Sequence, residues 1–310
     1  MHPRVRRTLP NLLAALALSA SASPGLAASP TPATARPAPA PTPAPTAPVS
    51  WIRQIAPAFE LAEKSGKLVI VDLFADWCSW CHTMDEQVFS TARFRELSSR
   101  FVLLRVDVED GGEGSALRDR FNAPNLPTIL VLDSHQARVG AIEGYLTADA
   151  LVERIEREVE TWRGLVSAFE AGTFRSDREL FQKLVGEFHE RGDGRRAALL
   201  YRELLAADPP ESARRWTRYM LADALRLAGD FAAADRELGD ARKEATAGSD
   251  RELLERIDLL RFYLEQDRGA CAAAKSVLES FLRDYPESAD TTKVRNLLRL
   301  LRLDGRPHCV

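Results

Sequence analysis

Two cysteines stand two residues apart, Cys78-Ser79-Trp80-Cys81, directly behind the apolar run Val71-Asp72-Leu73-Phe74-Ala75. Thiols at that spacing do one of two things. They ligate half of a zinc site, or they open and close one disulfide. A zinc site needs further ligands, and Cys271, His308 and Cys309 lack the paired spacing of a structural site. The pair is therefore read as redox-active, with disulfide exchange on partner proteins as its chemistry. The attacking species in that exchange is a thiolate. A free cysteine titrates about one to two units above neutral pH, so the fold must stabilise the anion.

The surrounding pattern says what positions the pair. Leu68 to Ala75 is short, apolar and rich in Val and Ile, which suits a strand covered on both faces. Met84, Val88 and Phe89 predict a helix behind the cysteines, continued by Phe94 and Leu97. Cys78 then falls at the start of that helix, where free N–H groups and the helix dipole favour negative charge. Cys81 lies one turn on and deeper. Cys78 is the expected nucleophile and Cys81 the resolving thiol.

Further elements complete a domain. Ile52, Ile55, Phe59 and Ala62 predict an amphipathic helix over Trp51–Glu63, interrupted by Pro57. Phe101–Val108 reads as a strand, Gly111–Gly114 as a loop and Leu117–Phe121 as a short helix. Pro127–Leu132 and Val139–Glu143 read as strands joined by a turn at 133–136. A helix follows from Thr147, as its cap, to Glu160. This order is α/β, a mixed sheet with helices on both sides.

Residues 51–160 resemble the thioredoxin family. The resemblance rests on Asp72-Leu73-Phe74-Ala75-Asp76-Trp77-Cys78, on the second cysteine, and on Leu126-Pro127-Thr128-Ile129-Leu130. The wording is most like the C-terminal periplasmic domain of DsbD-type thiol:disulfide interchange proteins. The resemblance implies a thioredoxin fold and a thiol:disulfide oxidoreductase of the protein-disulfide reductase type. It implies no cofactor beyond the Cys78–Cys81 disulfide, and no metal.

The resemblance also assigns roles. Asp72 stands where the family keeps a buried acid that accepts the resolving thiol's proton; the alternative is a structural or surface Asp. Pro127 stands where the family has a cis-proline facing the cysteines, which exposes the Leu126 backbone to an extended substrate. Trp77 is expected to pack beside the pair. Trp80 departs from the common Gly-Pro and Val-Ala pairs; it either offers apolar area to a partner or covers the helix start. His82 replaces a frequent Lys, and either tunes the thiolate or sits as a solvated surface residue. Arg105 is expected near Asp72. Ser79-Trp80 matches neither the usual reductase pair nor the usual strong-oxidant pair. The direction of electron flow stays open, with the DsbD-like context favouring a reductant or electron carrier.

The flanks are of a different kind. Arg4, Arg6 and Arg7 precede a short apolar run, Leu12–Ala20, and small residues follow. Residues 1–28 are expected to be a signal peptide, with an uncleaved membrane anchor or a twin-arginine signal as alternatives. Residues 29–50 are rich in Pro, Ala and Thr and are expected to be a disordered linker. Together they place the protein in the periplasm or otherwise outside the cytoplasm, where disulfides persist. The net charge of −3 over 310 residues does not suggest a nucleic-acid binder.

Residues 161–310 read as paired helices. Three sets recur: Leu184, Phe188, Gly192, Ala197, Tyr201 and Pro209; Leu221, Leu225, Gly229, Ala234, Leu238 and Ala241; Phe262, Gly269, Ala274, Leu278, Phe281 and Pro286. They resemble the tetratricopeptide repeat, with a capping helix over Thr291–Leu303. Such a platform implies protein or peptide partners, beside thiol or disulfide clients and a membrane electron donor. Cys271 and Cys309 are candidates for a structural disulfide. The alternatives are a buried Cys271 with a free Cys309, or a second redox relay. A competing reading of the whole chain is a non-catalytic binding or assembly module, in which the repeats bind partners and the first domain is a scaffold or redox switch.

Overall fold

The computed structural model describes residues 49–302. The expected signal peptide, residues 29–48 of the expected linker, and Cys309 lie outside the described residues.

Strand β1 (Val69–Phe74) is central. It pairs in parallel with β2 (Val102–Asp107) and antiparallel with β3 (Thr128–Leu132). β3 pairs antiparallel with β4 (Arg138–Glu143), which gives the order β2-β1-β3-β4. Side chains alternate along a strand. Val69, Val71 and Leu73 join a cluster with Ala58, Phe59 and Ala62 of helix α1 (Ile55–Ser65). Ile70 belongs to the cluster on the other face, with Phe89, Phe94, Ile129 and Val131, and alternation puts Asp72 on its side of the sheet.

Helix α1 starts later than the periodicity predicts. Ile52 is instead extended beside β2, its N–H donating to the Leu103 carbonyl at 2.9 Å and its carbonyl accepting the Arg105 N–H at 2.9 Å. The free edge of β2 outweighs local helix preference there. Pro57 then falls in the first helical turn, where a missing N–H costs nothing. Behind β1, α2 (Ser79–Met84) runs straight into one π-helical turn (Asp85–Phe89), followed by α3 (Ala92–Ser98). α4 (Glu113–Arg120) precedes β3.

Helix α5 (Ala148–Glu170) continues ten residues past the expected end. Val159, Trp162 and Leu165 are buried and extend the apolar face of Leu151, Val152 and Ile155. Gly172, at φ +67°, follows the end of the helix. The Thr147 side chain makes no capping hydrogen bond, although the residue holds the cap position. Gly140 lets α5 approach β4: a Cβ there would lie 2.8 Å from the Glu158 Cβ.

The remaining described chain is helical: α6 (Arg178–Glu190), α7 (Gly194–Ala206), α8 (Glu211–Leu227), α9 (Phe231–Ala247), α10 (Arg251–Asp267), α11 (Cys271–Asp284) and α12 (Thr291–Arg302). The turns α6–α7, α8–α9 and α10–α11 each place a glycine in left-handed backbone, Gly192, Gly229 and Gly269 at φ +75°, +78° and +72°. Only a residue without a Cβ adopts that conformation freely. Asp193 and Asp230 follow two of them and cap the next helix by accepting the Arg196 and Ala233 N–H groups.

The helices are built onto the sheet. The Arg138 N–H on β4 donates to the Arg191 carbonyl at 2.6 Å, and Arg191 Nη1 donates to the Val139 carbonyl at 2.6 Å. Trp162 meets Phe188 edge to face at 5.9 Å, and Phe169 meets the same ring at 5.5 Å. One buried cluster runs from Ile70 and Phe94 through Leu151, Trp162 and Phe188 to Leu221, Leu238 and Leu253. Among the described residues, no helix is long and apolar enough to cross a membrane.

Candidate active site

The end of β1 delivers the chain to the start of α2. Cys78 is the N-cap of that helix, and Cys78 and Cys81 form a disulfide with a Cα–Cα distance of 5.2 Å. The Cys81 N–H donates to Cys78 Sγ at 3.1 Å. A hydrogen-bond donor aimed at this sulfur favours its anionic form. Both residues are almost wholly covered, Cys78 at 3% and Cys81 at 1% exposure.

Asp72 is buried on β1, and register places it between Arg105 on β2 and Ile129 on β3. Arg105 Nε lies 3.0 Å from Asp72 Oδ2. That contact is charge against charge rather than an aligned hydrogen bond, since neither Asp72 oxygen nor Arg105 Nε has a hydrogen-bond partner among the described residues. Arg105 directs its fork elsewhere. Nη1 and Nη2 donate to the two oxygens of Asp85, the latter at 2.9 Å. Its guanidinium also covers the Phe74 ring at 4.3 Å.

The electrostatic balance follows. Burial raises the Asp72 carboxyl from 3.8 to about 7. Arg105 and Arg53 lower it, and Asp85 raises it, but desolvation is the largest influence. Arg105 loses solvation too, yet the Asp85 hydrogen bond and the charges of Asp72 and Asp85 hold it more firmly protonated than usual. A carboxyl that titrates near neutrality can both take and release a proton under working conditions.

The loop before β3 carries the proline that the resemblance singles out. The Leu126–Pro127 peptide is cis. The loop is held by Thr128 Oγ1 donating to the Asn125 carbonyl at 2.6 Å and by the Gly144 N–H donating to the Pro127 carbonyl at 2.8 Å. Leu126 is left with no main-chain hydrogen bond among the described residues.

The two tryptophans face outward. Trp77, expected to pack, is 70% exposed, and Trp80 is 57% exposed. Trp80 meets the Tyr145 ring at 5.4 Å, and the Tyr145 hydroxyl donates to Gln87 Oε1 at 3.1 Å. His82 Nε2 lies 2.8 Å from the Asp76 carbonyl oxygen, so that nitrogen carries the proton and ties the helix to the loop before it. Cys271 opens α11, far along the chain from this site, and the candidate bridge to Cys309 involves a residue outside the described ones.

Sequence reasoning missed two participants. Asp85 stands four residues after Cys81, so helical spacing alone places it on the cysteine's side of the helix. Tyr145 directly follows Gly144, whose N–H closes on the Pro127 loop. Among the described residues no group of His, Cys, Asp and Glu is placed to hold a metal.

The first part of the described chain is similar in sequence to known proteins. Residues 50–134 match the family model described as Thioredoxin-like, and this part of the chain is a thioredoxin-like domain. The thiol:disulfide interchange protein DsbD of Haemophilus influenzae (strain PittGG) is 33% identical over 100 residues, 31% of this chain and 17% of that protein. The DsbD of Tatumella citrea is 29% identical over 101 residues, 32% of this chain and 18% of that protein. The chain therefore spans less than a fifth of the length of these relatives. Of solved structures, the oxidised C-terminal domain of DsbD from Neisseria meningitidis is 24% identical, covering 35% of this chain and 99% of that one, with a TM-score of 0.32. A thioredoxin from Thermus thermophilus is 26% identical, covering 34% and 83%, also with a TM-score of 0.32.

Proposed function

We propose that this thioredoxin-like chain is a thiol–disulfide oxidoreductase that exchanges disulfides with protein partners, as a reductant or electron carrier outside the cytoplasm. One observation carries the reading. A disulfide at a helix start, Cys78–Cys81, occurs in the same domain as a buried carboxyl, Asp72, that titrates near neutrality. A scaffold needs neither.

In the reducing direction the Cys78 thiolate attacks one sulfur of a client disulfide. A Cys78–client bond forms and the client's second sulfur leaves as a thiolate, which takes a proton from water. Cys81 then loses its proton to Asp72, through water, and its thiolate attacks Cys78 Sγ. The Cys78–Cys81 bond closes and the first client sulfur leaves as a thiolate. The client gains two electrons, and the protein is oxidised to the disulfide state. An external donor restores the dithiol, and a membrane electron-transfer protein is the class that the DsbD resemblance favours. The open main chain of Leu126 receives the extended client backbone, with Pro127 holding the loop.

The helical half serves as a tetratricopeptide-like platform for a protein or peptide partner, with the chain divided near 50 and 160. The chain needs no cofactor besides its own disulfide.

The test is reduction of insulin by the full chain with a thiol reductant. Cys78→Ser abolishes turnover and Cys81→Ala accumulates a mixed disulfide. Retained turnover with Cys78→Ser rules the reading out. A reduction potential near that of thioredoxin, about −270 mV, supports a reductant; one near about −120 mV reverses the direction.

A further inference from the structure

Both sulfurs are nearly covered, so a client disulfide reaches Cys78 only if the client settles closely on the surrounding surface. That surface is unusual in one respect. It exposes a large aromatic ring, Trp80, between the two cysteines, where burial would ordinarily be favourable. The ring is not loose. It leans on Tyr145 at 5.4 Å and 37°, and Tyr145 is itself fixed through its hydroxyl to Gln87 at 3.1 Å.

Three separate elements therefore build this wall. Trp80 comes from α2, Gln87 from the π-helical turn, and Tyr145 from the turn after β4. The last is also tied to the client loop, because Gly144 donates to the Pro127 carbonyl. The wall thus stands in fixed relation to the sulfurs and to the open Leu126 main chain. The two contacts that fix the wall, ring to ring and hydroxyl to amide oxygen, are between uncharged side chains.

We infer that Trp80 and Tyr145 form a specificity wall that selects client segments carrying a large apolar or aromatic side chain beside the reacting cysteine. The inference rests on the oxidoreductase reading and names its substrate class. A side chain such as Phe covers the exposed indole on docking and removes apolar surface from water on both partners. A small polar neighbour leaves the indole uncovered. Trp77, directly before Cys78 in the sequence, is a second exposed indole.

The experiment uses the full chain, reduced, and two disulfide-linked peptides identical except for Phe or Ser beside the reacting cysteine. Second-order exchange rates are measured by stopped flow, and the readout is the Phe-to-Ser ratio rather than either rate. The unaltered protein favours the Phe peptide by on the order of tenfold, the scale set by burying one such side chain. Trp80→Ala and Tyr145→Ala each bring the ratio to within about twofold of unity. Tyr145→Phe keeps the ring and retains the preference. Because only a ratio is compared, a change in redox poise caused by Trp80→Ala, which alters both rates alike, does not imitate the effect. A ratio near unity in the unaltered protein, or a ratio unmoved by Trp80→Ala, overturns the inference while exchange itself persists. Collapse of the ratio in Tyr145→Phe, while Gln87→Leu, which removes the same hydrogen bond and keeps the hydroxyl, retains it, overturns an apolar wall in favour of hydroxyl recognition. Absence of exchange with both peptides overturns the oxidoreductase reading, and the specificity with it.

Discussion

Arg105 and Asp72 are register partners on neighbouring parallel strands, 3.0 Å apart at Nε and Oδ2, yet they share no aligned hydrogen bond because the Arg105 fork is held by Asp85. The cation therefore acts on Asp72 through charge alone. Arg105→Met removes that charge and keeps an apolar stem over Phe74. The Asp72 carboxyl then rises above its value of about 7. Carbon NMR titration of the carboxyl in the oxidised protein checks this. An unmoved or lowered midpoint contradicts the assigned role.

Asp72→Asn separates stability from catalysis. The carboxyl titrates at 3.8 when unperturbed and at about 7 in the fold. Between these values the unfolded chain is ionised while the folded chain keeps its proton, so raising the pH favours unfolding. The cost grows from about pH 4 to about pH 7 and then levels off. The Asn variant lacks it. Its stability advantage is therefore small near pH 4 and reaches on the order of a few kcal/mol above pH 7. Denaturant melts at several pH values measure the trend. The same variant slows the resolving step by about tenfold or more, as loss of a proton acceptor does.

The Cys81 N–H aimed at Cys78 Sγ makes the two thiols unequal in the reduced protein. Cys78 is alkylated by iodoacetamide faster than Cys81. Its rate reaches half-maximum at a pH below the roughly 8.5 of a free cysteine. Mass spectrometry of timed samples gives both rates. Equal labelling, or a midpoint at the free value, contradicts a stabilised thiolate.

Phe188 lies wholly buried where Trp162 and Phe169 of α5 meet α6. Phe188→Ala opens a cavity there and costs about 3–5 kcal/mol. Since one apolar cluster crosses this point, the sheet and the helices lose stability together. Main-chain amide signals of β1, followed by NMR, and far-UV helical signals should shift to the same lower melting temperature. Two separated transitions would show halves that fold independently.

The sequence made the centre of the molecule legible because chemistry and pattern coincide there. Cys78, Cys81, the strand before them and the proline before β3 sit in local contexts that permit few other readings. What escaped depended on tertiary geometry. The helix expected from Trp51 begins at Ile55 because the edge of β2 recruits Ile52. Helix α5 outruns its expected end because Trp162 and Leu165 find partners in helices that a local pattern does not reveal. Asp85 and Tyr145 each carry their meaning only across space, to Arg105 and to Trp80. The outward turn of Trp77 was likewise illegible, since indole rings are ordinarily buried on average.

A sheet invites aggregation wherever its outer strands leave backbone groups unpaired. Here the chain answers that hazard from within at both borders: Ile52 lies along β2, and Arg191 closes on the start of β4. Foreign strands find those stretches occupied. The Leu126 main chain carries no such pairing among the described residues. If Leu126 receives clients as proposed, a neighbouring polypeptide that seeks backbone pairing is steered away from insoluble growth and toward an encounter that ends in exchange and release.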